Sequence, residues 1–191
     1  MREYIVTCCS TADMSRTFME TNEVPFAMFH YQLDGKEYAD DLYSSISPEV
    51  FYKMIGDGAQ PVTSQVNAEA YCALFEPVLK SGKDVLHLTL SSGISGSINS
   101  ANVAKAQMEE KYPDRRVMVV DSLAASSGYG MLVEQTLENQ RDGMSLEENA
   151  AWIVAHRNTL HHWFFSTDLT SYIRGGRVSK TAERCSISVR C

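Results

Sequence analysis

The sequence lacks a long apolar run, a regular cysteine spacing and an excess of positive charge. No run approaches the roughly 20 apolar residues that cross a bilayer, which predicts that the protein is not an integral membrane protein. Five cysteines, an odd number without paired spacing, disfavour a disulfide framework and indicate a reducing cytoplasm. A formal net charge of -7 disfavours nucleic-acid binding, because an acidic chain is repelled by phosphate backbones. The N-terminus also lacks the ordered regions of a signal peptide.

The composition and the hydrophobic patterns are those of a globular α/β protein. The chain has 191 residues, of which 44% are hydrophobic and 21% charged, enough to bury a sizeable core. Strand-like runs alternate with helical patterns, and this alternation favours a parallel sheet because parallel neighbours need crossover connections. The strand-like runs are residues 4–7, 24–31, 84–90 and 116–120, and the helical patterns are 47–55, 68–80, 97–111 and 123–138. A turn at Asp34-Gly35 predicts a hairpin after the second run.

Two domains are predicted, an N-terminal parallel-sheet domain with flanking helices at residues 1–143 and a partial C-terminal α/β domain at 144–191. After a helix break, Ser145 and Glu148 have the spacing of a capping box that begins another helix. Residues 163–166 have the composition of a strand that enters the second domain. The second domain is expected to be incomplete, since fewer than about 50 residues rarely make an independent core.

Hydroxyl-bearing residues follow the predicted strands. The loop from Ser91 to Ser97 holds four hydroxyls and two glycines at a predicted helix start, where N–H groups and the helix dipole attract an anion. Thr63, Ser64 and Ser122 offer the same chemistry from neighbouring loops, and ligands of parallel sheets bind beyond the carboxyl ends of the strands. Serine-rich turns also cap helices without binding anything, but three such loops together favour a carboxylate or phosphate site.

A hydrolase or transferase is the alternative that these residues leave open, with Ser95 attacking a small acyl or phosphorylated substrate. The nucleophile elbow needs a glycine two residues after the serine, and Ser97 stands there. His87 lies inside a predicted strand, which favours a core histidine over a triad partner. Adjacent Cys8 and Cys9 point to opposite faces of a strand, so buried thiols are favoured over a zinc site. No phosphate loop or dinucleotide fingerprint occurs, so no cofactor is predicted.

Six short motifs, spread from one end of the chain to the other, resemble those of one family. They are Cys9-Ser10-Thr11-Ala12-Asp13, Val24-Pro25, Thr63-Ser64-Gln65, the loop Ser91 to Ser97, Val120-Asp121-Ser122, and Gly175-Gly176-Arg177-Val178-Ser179. They stand in the order found in the DegV family of bacterial fatty-acid-binding proteins, which this chain resembles. The resemblance implies a two-domain α/β fold, with a long-chain fatty acid in a tunnel between the domains.

The resemblance also implies a carrier without catalytic activity and a set of site residues. Family members present the fatty acid to a fatty acid kinase, which phosphorylates its carboxylate, so the expected partners are the lipid and the kinase. Transferred by motif, Thr63 and Ser95 should hydrogen-bond the carboxylate. The supporting residues are Ser64, Ser92, Ser10 and Ser122, and the possible head-group or kinase contacts are Arg174 and Arg177.

The chain departs from the family pattern in two places. Cys9 stands where many relatives carry an aspartate, before the serine of the first motif, which removes one charge from the mouth of the site. Relatives continue well past the Gly-Gly-Arg motif, so the chain is expected to be truncated within its second domain. A shift of reading frame near the C-terminus is one hypothesis for this end. A fragment that binds nothing by itself is then a further alternative.

Overall fold

The computed structural model describes residues 3–163 and 169–179, which form two compact units divided after His161. The strands are β1 (Tyr4–Cys9), β2 (Phe26–Ala27), β3 (His30–Leu33), β4 (Lys36–Ala39), β5 (Val62–Ser64), β6 (Asp84–Thr89) and β7 (Val117–Asp121). The helices are α1 (Arg16–Thr21), α2 (Pro48–Gly56), α3 (Ala68–Lys80), α4 (Ser97–Lys111), α5 (Ser126–Arg141), α6 (Leu146–His156) and α7 (Thr170–Arg174). Among the described residues, no helix combines the length and apolarity that a membrane span requires.

Four parallel strands form the central sheet of the first unit, in the order β2-β1-β6-β7. β6 is buried along its whole length, and Val85, Leu86 and Leu88 lie in the hydrophobic core. Helices α3 to α6 pack against the sheet. The predicted parallel α/β fold with flanking helices is therefore confirmed.

A second, antiparallel sheet in the order β4-β3-β5 differs from the prediction of one long run at residues 24–31. That run divides, because β2 pairs in parallel with β1 whereas β3 folds back on β4. The predicted hairpin is confirmed, since Asp34 and Gly35 take the positive φ values of 52° and 77° that such a turn needs.

The helix starts were read correctly at α2 and α6, and α3 has the predicted bounds. The Ser47 hydroxyl accepts a hydrogen bond from the Val50 N–H at 3.4 Å, with Pro48 in the first turn of α2. The capping box of α6 is reciprocal: the Ser145 N–H donates to a Glu148 carboxylate oxygen at 2.9 Å, and the Glu148 N–H donates to the Ser145 hydroxyl at 3.3 Å. Local sequence thus determines where these helices begin.

Helix α6 belongs to the first unit, whose compact fold continues past residue 143. The buried Asn149 side chain donates to the Tyr4 hydroxyl at 3.0 Å and to the Thr136 carbonyl at 2.8 Å, which ties α6 to β1 and α5. The domain boundary predicted after residue 143 falls between α5 and α6. A division into two domains at this position in a longer protein stays a prediction. In the predicted strand at 163–166, Trp163 is exposed and the other residues lie outside the described residues.

Candidate functional site

The loops that follow β1, β6 and β7 lie at one edge of the central sheet, because parallel strands all end on the same side. Two of these loops are joined by main-chain hydrogen bonds. The Ser91 N–H donates to the Ala124 carbonyl at 3.0 Å, and the Ser122 N–H donates to the Thr89 carbonyl at 3.2 Å. The Asp121 carboxylate accepts from the Ser92 N–H at 3.2 Å. The structure therefore brings the Ser91 to Ser97 loop and Ser122 together, as expected for loops that follow the carboxyl ends of parallel strands.

Ser95 occupies the entrance to α4, with 8% of its surface exposed. Its N–H donates to the Ser91 carbonyl at 3.1 Å. Its hydroxyl oxygen accepts from the Ser97 N–H at 3.3 Å and lies 3.0 Å from the Ser97 hydroxyl oxygen. Ser95 is thus held in position by its own loop beside the positive end of a 15-residue helix. Ser92, in the same loop, is exposed.

Ser10 and Ser122 are fully buried, and both hydroxyls bond to the main chain. The Ser10 hydroxyl accepts from the Phe29 N–H at 3.1 Å, which joins the first motif to the end of β2. The Ser122 hydroxyl donates to the Ala124 carbonyl at 3.2 Å and accepts from the Ala124 N–H at 3.1 Å. These two hydroxyls hold the loops in shape.

Thr63 and Ser64 were predicted in a loop, whereas the structure places both on a strand, β5. Both are exposed on β5, and α3 begins only at Ala68, capped by the Asn67 side chain, which accepts from the Ala70 N–H at 2.8 Å. The Ser64 hydroxyl donates to the His30 carbonyl at 3.3 Å. A three-residue strand carries too little periodic signal to be recognised in the sequence.

The end of β5 nevertheless reaches the loop of Ser95 through Gln65. A Cβ atom built on Gly96 would stand 2.9 Å from both polar atoms of the Gln65 side-chain amide, so the amide packs directly on the glycine. Gln65 is the residue after Ser64, and Gly96 is the residue after Ser95. The contact between Gln65 and Gly96 is therefore made by the residues that directly follow the predicted site residues Ser64 and Ser95.

A network of buried polar side chains lies beneath the strand ends, and the sequence analysis did not recognise it. Thr7 and His87 are opposite each other in the register of β1 and β6, with the Thr7 hydroxyl 2.9 Å from His87 Nδ1. His87 Nε2 lies 3.8 Å from Cys9 Sγ, which lies 3.4 Å from the Tyr71 hydroxyl. Cys9 and His87 are core residues, as predicted, but they pair with polar atoms.

The groups of this network are uncharged. Burial lowers the pKa of His87 to about 3, so its imidazole is neutral. Burial raises the pKa of Cys9, so its thiol keeps its proton. Burial also raises the pKa of Tyr71, and a side-chain hydrogen bond with Ser97 acts in the opposite direction. The Tyr71 hydroxyl therefore keeps its proton as well.

Two further polar residues lie at this edge, Arg157, which belongs to no motif, and Thr11, which belongs to the first motif. The Arg157 guanidinium donates to the Asp121 carbonyl at 2.6 Å, next to Ser122. The Thr11 hydroxyl oxygen is buried, and it has no hydrogen-bond partner within the described part of the chain. Contact between Arg157 and β7 depends on the packing of distant elements, so the sequence alone could not supply it.

Arg174 and Arg177 belong to the second unit. Arg174 is the last residue of α7, and both side chains are exposed. The Arg177 guanidinium donates to the Gly175 carbonyl at 2.6 Å, which folds the side chain back on the glycine turn. Their contact with a head group or a kinase stays a prediction.

Three comparisons relate the chain to known proteins. The sequence model described as "Uncharacterised protein, DegV family" matches residues 5–184. A DegV domain-containing protein of Clostridium perfringens is 34% identical over 182 residues, which are 95% of this chain and 62% of that protein. A solved fatty-acid-binding DegV family protein from Thermus thermophilus is 30% identical with a TM-score of 0.84, and the match covers 100% of this chain and 65% of that one. A solved stearic-acid-binding protein from Eubacterium ventriosum is 29% identical with a TM-score of 0.72, over 80% of this chain and 52% of that one. The chain thus spans less than two thirds of each of these proteins.

Proposed function

Because the chain belongs to the DegV family, we propose that it binds a long-chain fatty acid as a carrier and holds the carboxylate at Ser95 and Thr63. The observation that carries this proposal is the position of Ser95. Its hydroxyl is fixed by its own loop, at the start of α4 and on the edge where the parallel strands end. Two solved relatives of about 30% identity, both longer than this chain, bind fatty acids.

The chemistry of the edge suits a carboxylate head group. A carboxylate that leaves water needs hydrogen-bond donors, and hydroxyls together with the first N–H groups of a long helix supply them. The acyl tail supplies most of the affinity, since each buried methylene contributes about 0.8 kcal/mol. The hydroxyls then select an acidic head group among apolar molecules of similar size.

The hydroxyls divide into two groups in this proposal. Ser95 and Thr63 contact the carboxylate, with Ser64 and Ser92 beside them on the exposed side of the loops. Ser10 and Ser122 shape the loops from inside, because their hydroxyls already bond to the main chain. Arg174 or Arg177 faces the head group or a protein partner.

Presentation of the fatty acid to a fatty acid kinase, in the cytoplasm, is the role that the family resemblance implies, and we include it in the proposal. The kinase phosphorylates the carboxylate, so the carrier itself performs no chemistry. Within the described residues, His87 is not placed to activate Ser95 as a nucleophile. The two ring nitrogens of His87 face Thr7 and Cys9, and Ser95 bonds to Ser97.

Lipid extraction followed by mass spectrometry, and then titration of the delipidated chain with palmitate, tests the proposal. Loss of one hydrogen bond to a charged group costs about 1.5–3 kcal/mol, so Ser95→Ala should weaken palmitate binding by roughly tenfold to a hundredfold. Ser100→Ala, inside α4, is the matched control and should bind as the unsubstituted chain does. Equal affinity in Ser95→Ala would contradict the carboxylate site. Hydrolysis of an acyl ester that Ser95→Ala abolishes would favour the enzyme instead.

A further inference from the structure

The Asp121 carboxylate joins the two loops that follow β6 and β7. Its oxygen Oδ1 accepts a hydrogen bond from the Ser92 N–H at 3.2 Å and another from the Leu123 N–H at 3.0 Å. Ser92 belongs to the loop that holds Ser95, whereas Leu123 lies in the loop after β7. One carboxylate oxygen therefore fixes a main-chain group in each of the two loops.

The backbone at Leu123 depends on one of these bonds. Leu123 has a φ of 51°, in the left-handed region, which a leucine rarely adopts. Such a conformation persists only where the surrounding contacts hold it. Asp121 supplies such a contact, because its carboxylate accepts from the N–H two residues further along the chain, as in an Asx turn. The shape of the loop after β7 therefore depends on the Asp121 side chain.

The loop after β7 is in turn bonded to the loop that positions Ser95. The Ala124 carbonyl accepts from the Ser91 N–H at 3.0 Å and from the Ser122 hydroxyl at 3.2 Å. The Ser91 carbonyl accepts from the Ser95 N–H at 3.1 Å. The segment that Asp121 shapes therefore reaches the backbone of Ser95 through hydrogen bonds.

The main chain of Asp121 is anchored as well. The Arg157 guanidinium donates to the Asp121 carbonyl at 2.6 Å. Arg157 directly follows α6, so the end of β7 is fixed to a helix segment as well as to its neighbour β6. Because its carbonyl and its carboxylate are both held, Asp121 presents its acceptor oxygen to the two loops from a fixed position.

The charge of Asp121 has the wrong sign for a carboxylate ligand. An anion bound at Ser95 would lie at the same edge of the sheet as Asp121, and like charges repel each other. The useful property of Asp121 is therefore the position of its acceptor oxygen. An uncharged acceptor in the same place should serve the site equally well.

We propose that Asp121 is a positioning residue for the carboxylate site, and that it acts through the two N–H groups bonded to its Oδ1 and not through its charge. This inference rests on the proposed function, because it needs an acidic ligand at Ser95. Without that oxygen, the Ser92 N–H loses this acceptor and the Leu123 backbone can leave the left-handed region. The loop that holds the Ser95 hydroxyl is then less well fixed.

Two substitutions of Asp121 separate its geometry from its charge. Asp121→Ala removes the acceptor and should weaken palmitate binding by about threefold to tenfold. Asp121→Asn keeps a side-chain oxygen in the same place, and should restore an affinity within about twofold of the unsubstituted chain, or a tighter one. Its amide NH2 can reach water, since position 121 is only half-buried. Asp142→Ala is the matched control, because it removes the same charge at the opposite end of α5, and it should not change binding.

Hexadecanol binding distinguishes positioning from a general loss of structure. This alcohol has as many carbon atoms as palmitate but a neutral head group, which depends less on the geometry of the Ser95 loop. Asp121→Ala should therefore weaken palmitate binding more than hexadecanol binding. An equal loss for the two lipids would mean that Asp121 supports only the fold, and the inference would be wrong.

The palmitate titrations also separate this inference from the proposed function. Saturable binding that Asp121→Ala leaves unchanged, or that Asp121→Asn weakens as much as Asp121→Ala does, would overturn the inference and leave the proposed function intact. No saturable binding by the unsubstituted chain would contradict the proposed function and this inference with it. If Asp121→Ala does not fold, Asp121→Asn decides: an affinity within about twofold of the unsubstituted chain supports the inference, and any weaker one overturns it.

Discussion

The side-chain amide of Gln65 packs on the backbone of Gly96, so closely that a Cβ atom at position 96 would stand 2.9 Å from both of its polar atoms. This contact joins the end of β5, in the antiparallel sheet, to the first turn of α4 at the edge of the parallel sheet. Gln65 is two residues from Thr63, and Gly96 is next to Ser95. The contact therefore links the two segments that carry the residues proposed to share the carboxylate.

Gly96→Ala tests whether this contact sets the site. Gly96 has a φ of -81°, which alanine adopts without strain, and the atoms that must move are the far end of a flexible side chain. The melting temperature should therefore change little, while the displaced Gln65 should weaken palmitate binding by about threefold to tenfold. Differential scanning fluorimetry and lipid titration on one preparation measure both effects. A binding constant equal to that of the unsubstituted chain would show that Gln65 does not position the β5 end.

Local features of the fold could be predicted from the sequence. The capping residues Ser47 and Ser145 act on groups within three positions of themselves, and the Asp34-Gly35 turn acts on its own backbone. The alternation of strands and helices predicted the parallel sheet for the same reason, since each element shows its own period. These features are confirmed because the residues that produce each cap, each turn and each period are close together in the sequence.

Features that depend on register or on distant packing could not be predicted. Thr7 meets His87 only because β1 and β6 are neighbours in one particular register. The sequence showed Cys9 and His87 as core residues, but it could not show that they bond to each other. Gln65 belongs to a motif, but its contact with Gly96 joins segments that are distant in the sequence. The candidate site was therefore predicted from its hydroxyls, whereas the buried polar side chains next to it were not predicted.

Gly130→Ala should destabilise the chain, although alanine is the better helix former. A Cβ atom on Gly130 would stand 2.7 Å from the Ala12 carbonyl oxygen and 2.5 Å from Met14 Sδ. Helix propensity favours alanine by about 1 kcal/mol, but overpacking against a main-chain atom costs about 1–3 kcal/mol. We expect the melting temperature to fall by a few degrees, since 1 kcal/mol corresponds to about 2–4 °C at this size.

The control for Gly130 is Gly56, the last residue of α2. A Cβ atom on Gly56 would have no neighbour within 4 Å, so Gly56→Ala changes only the helix propensity of this position. The melting temperature should therefore stay the same or rise. The first motif, which lies against Gly130, should also lose its geometry in Gly130→Ala. A melting temperature of Gly130→Ala at or above that of Gly56→Ala would contradict the close packing of α5 on the Ser10–Ala12 turn.

His87 should make the chain less stable in mild acid, because its imidazole is buried without a charged partner. Burial lowers its pKa from 6.5 to about 3 in the folded chain. Between these two pH values the unfolded chain binds a proton at His87 and the folded chain does not. The free energy of unfolding should therefore fall as the pH drops from about 6.5 toward 3, by up to about 1.4 kcal/mol per pH unit from this residue.

Urea denaturation of the unsubstituted chain and of His87→Gln, from pH 8 to pH 4, isolates this contribution. The variant loses ring packing and should be less stable at neutral pH, but below pH 6.5 its free energy of unfolding should fall less steeply. Above pH 7 the two curves should run parallel, since His87 is then neutral in both the folded and the unfolded chain. Parallel curves over the whole range would mean that the imidazole gains its proton at the same pH in the folded and the unfolded chain, and would contradict the lowering of its pKa by burial.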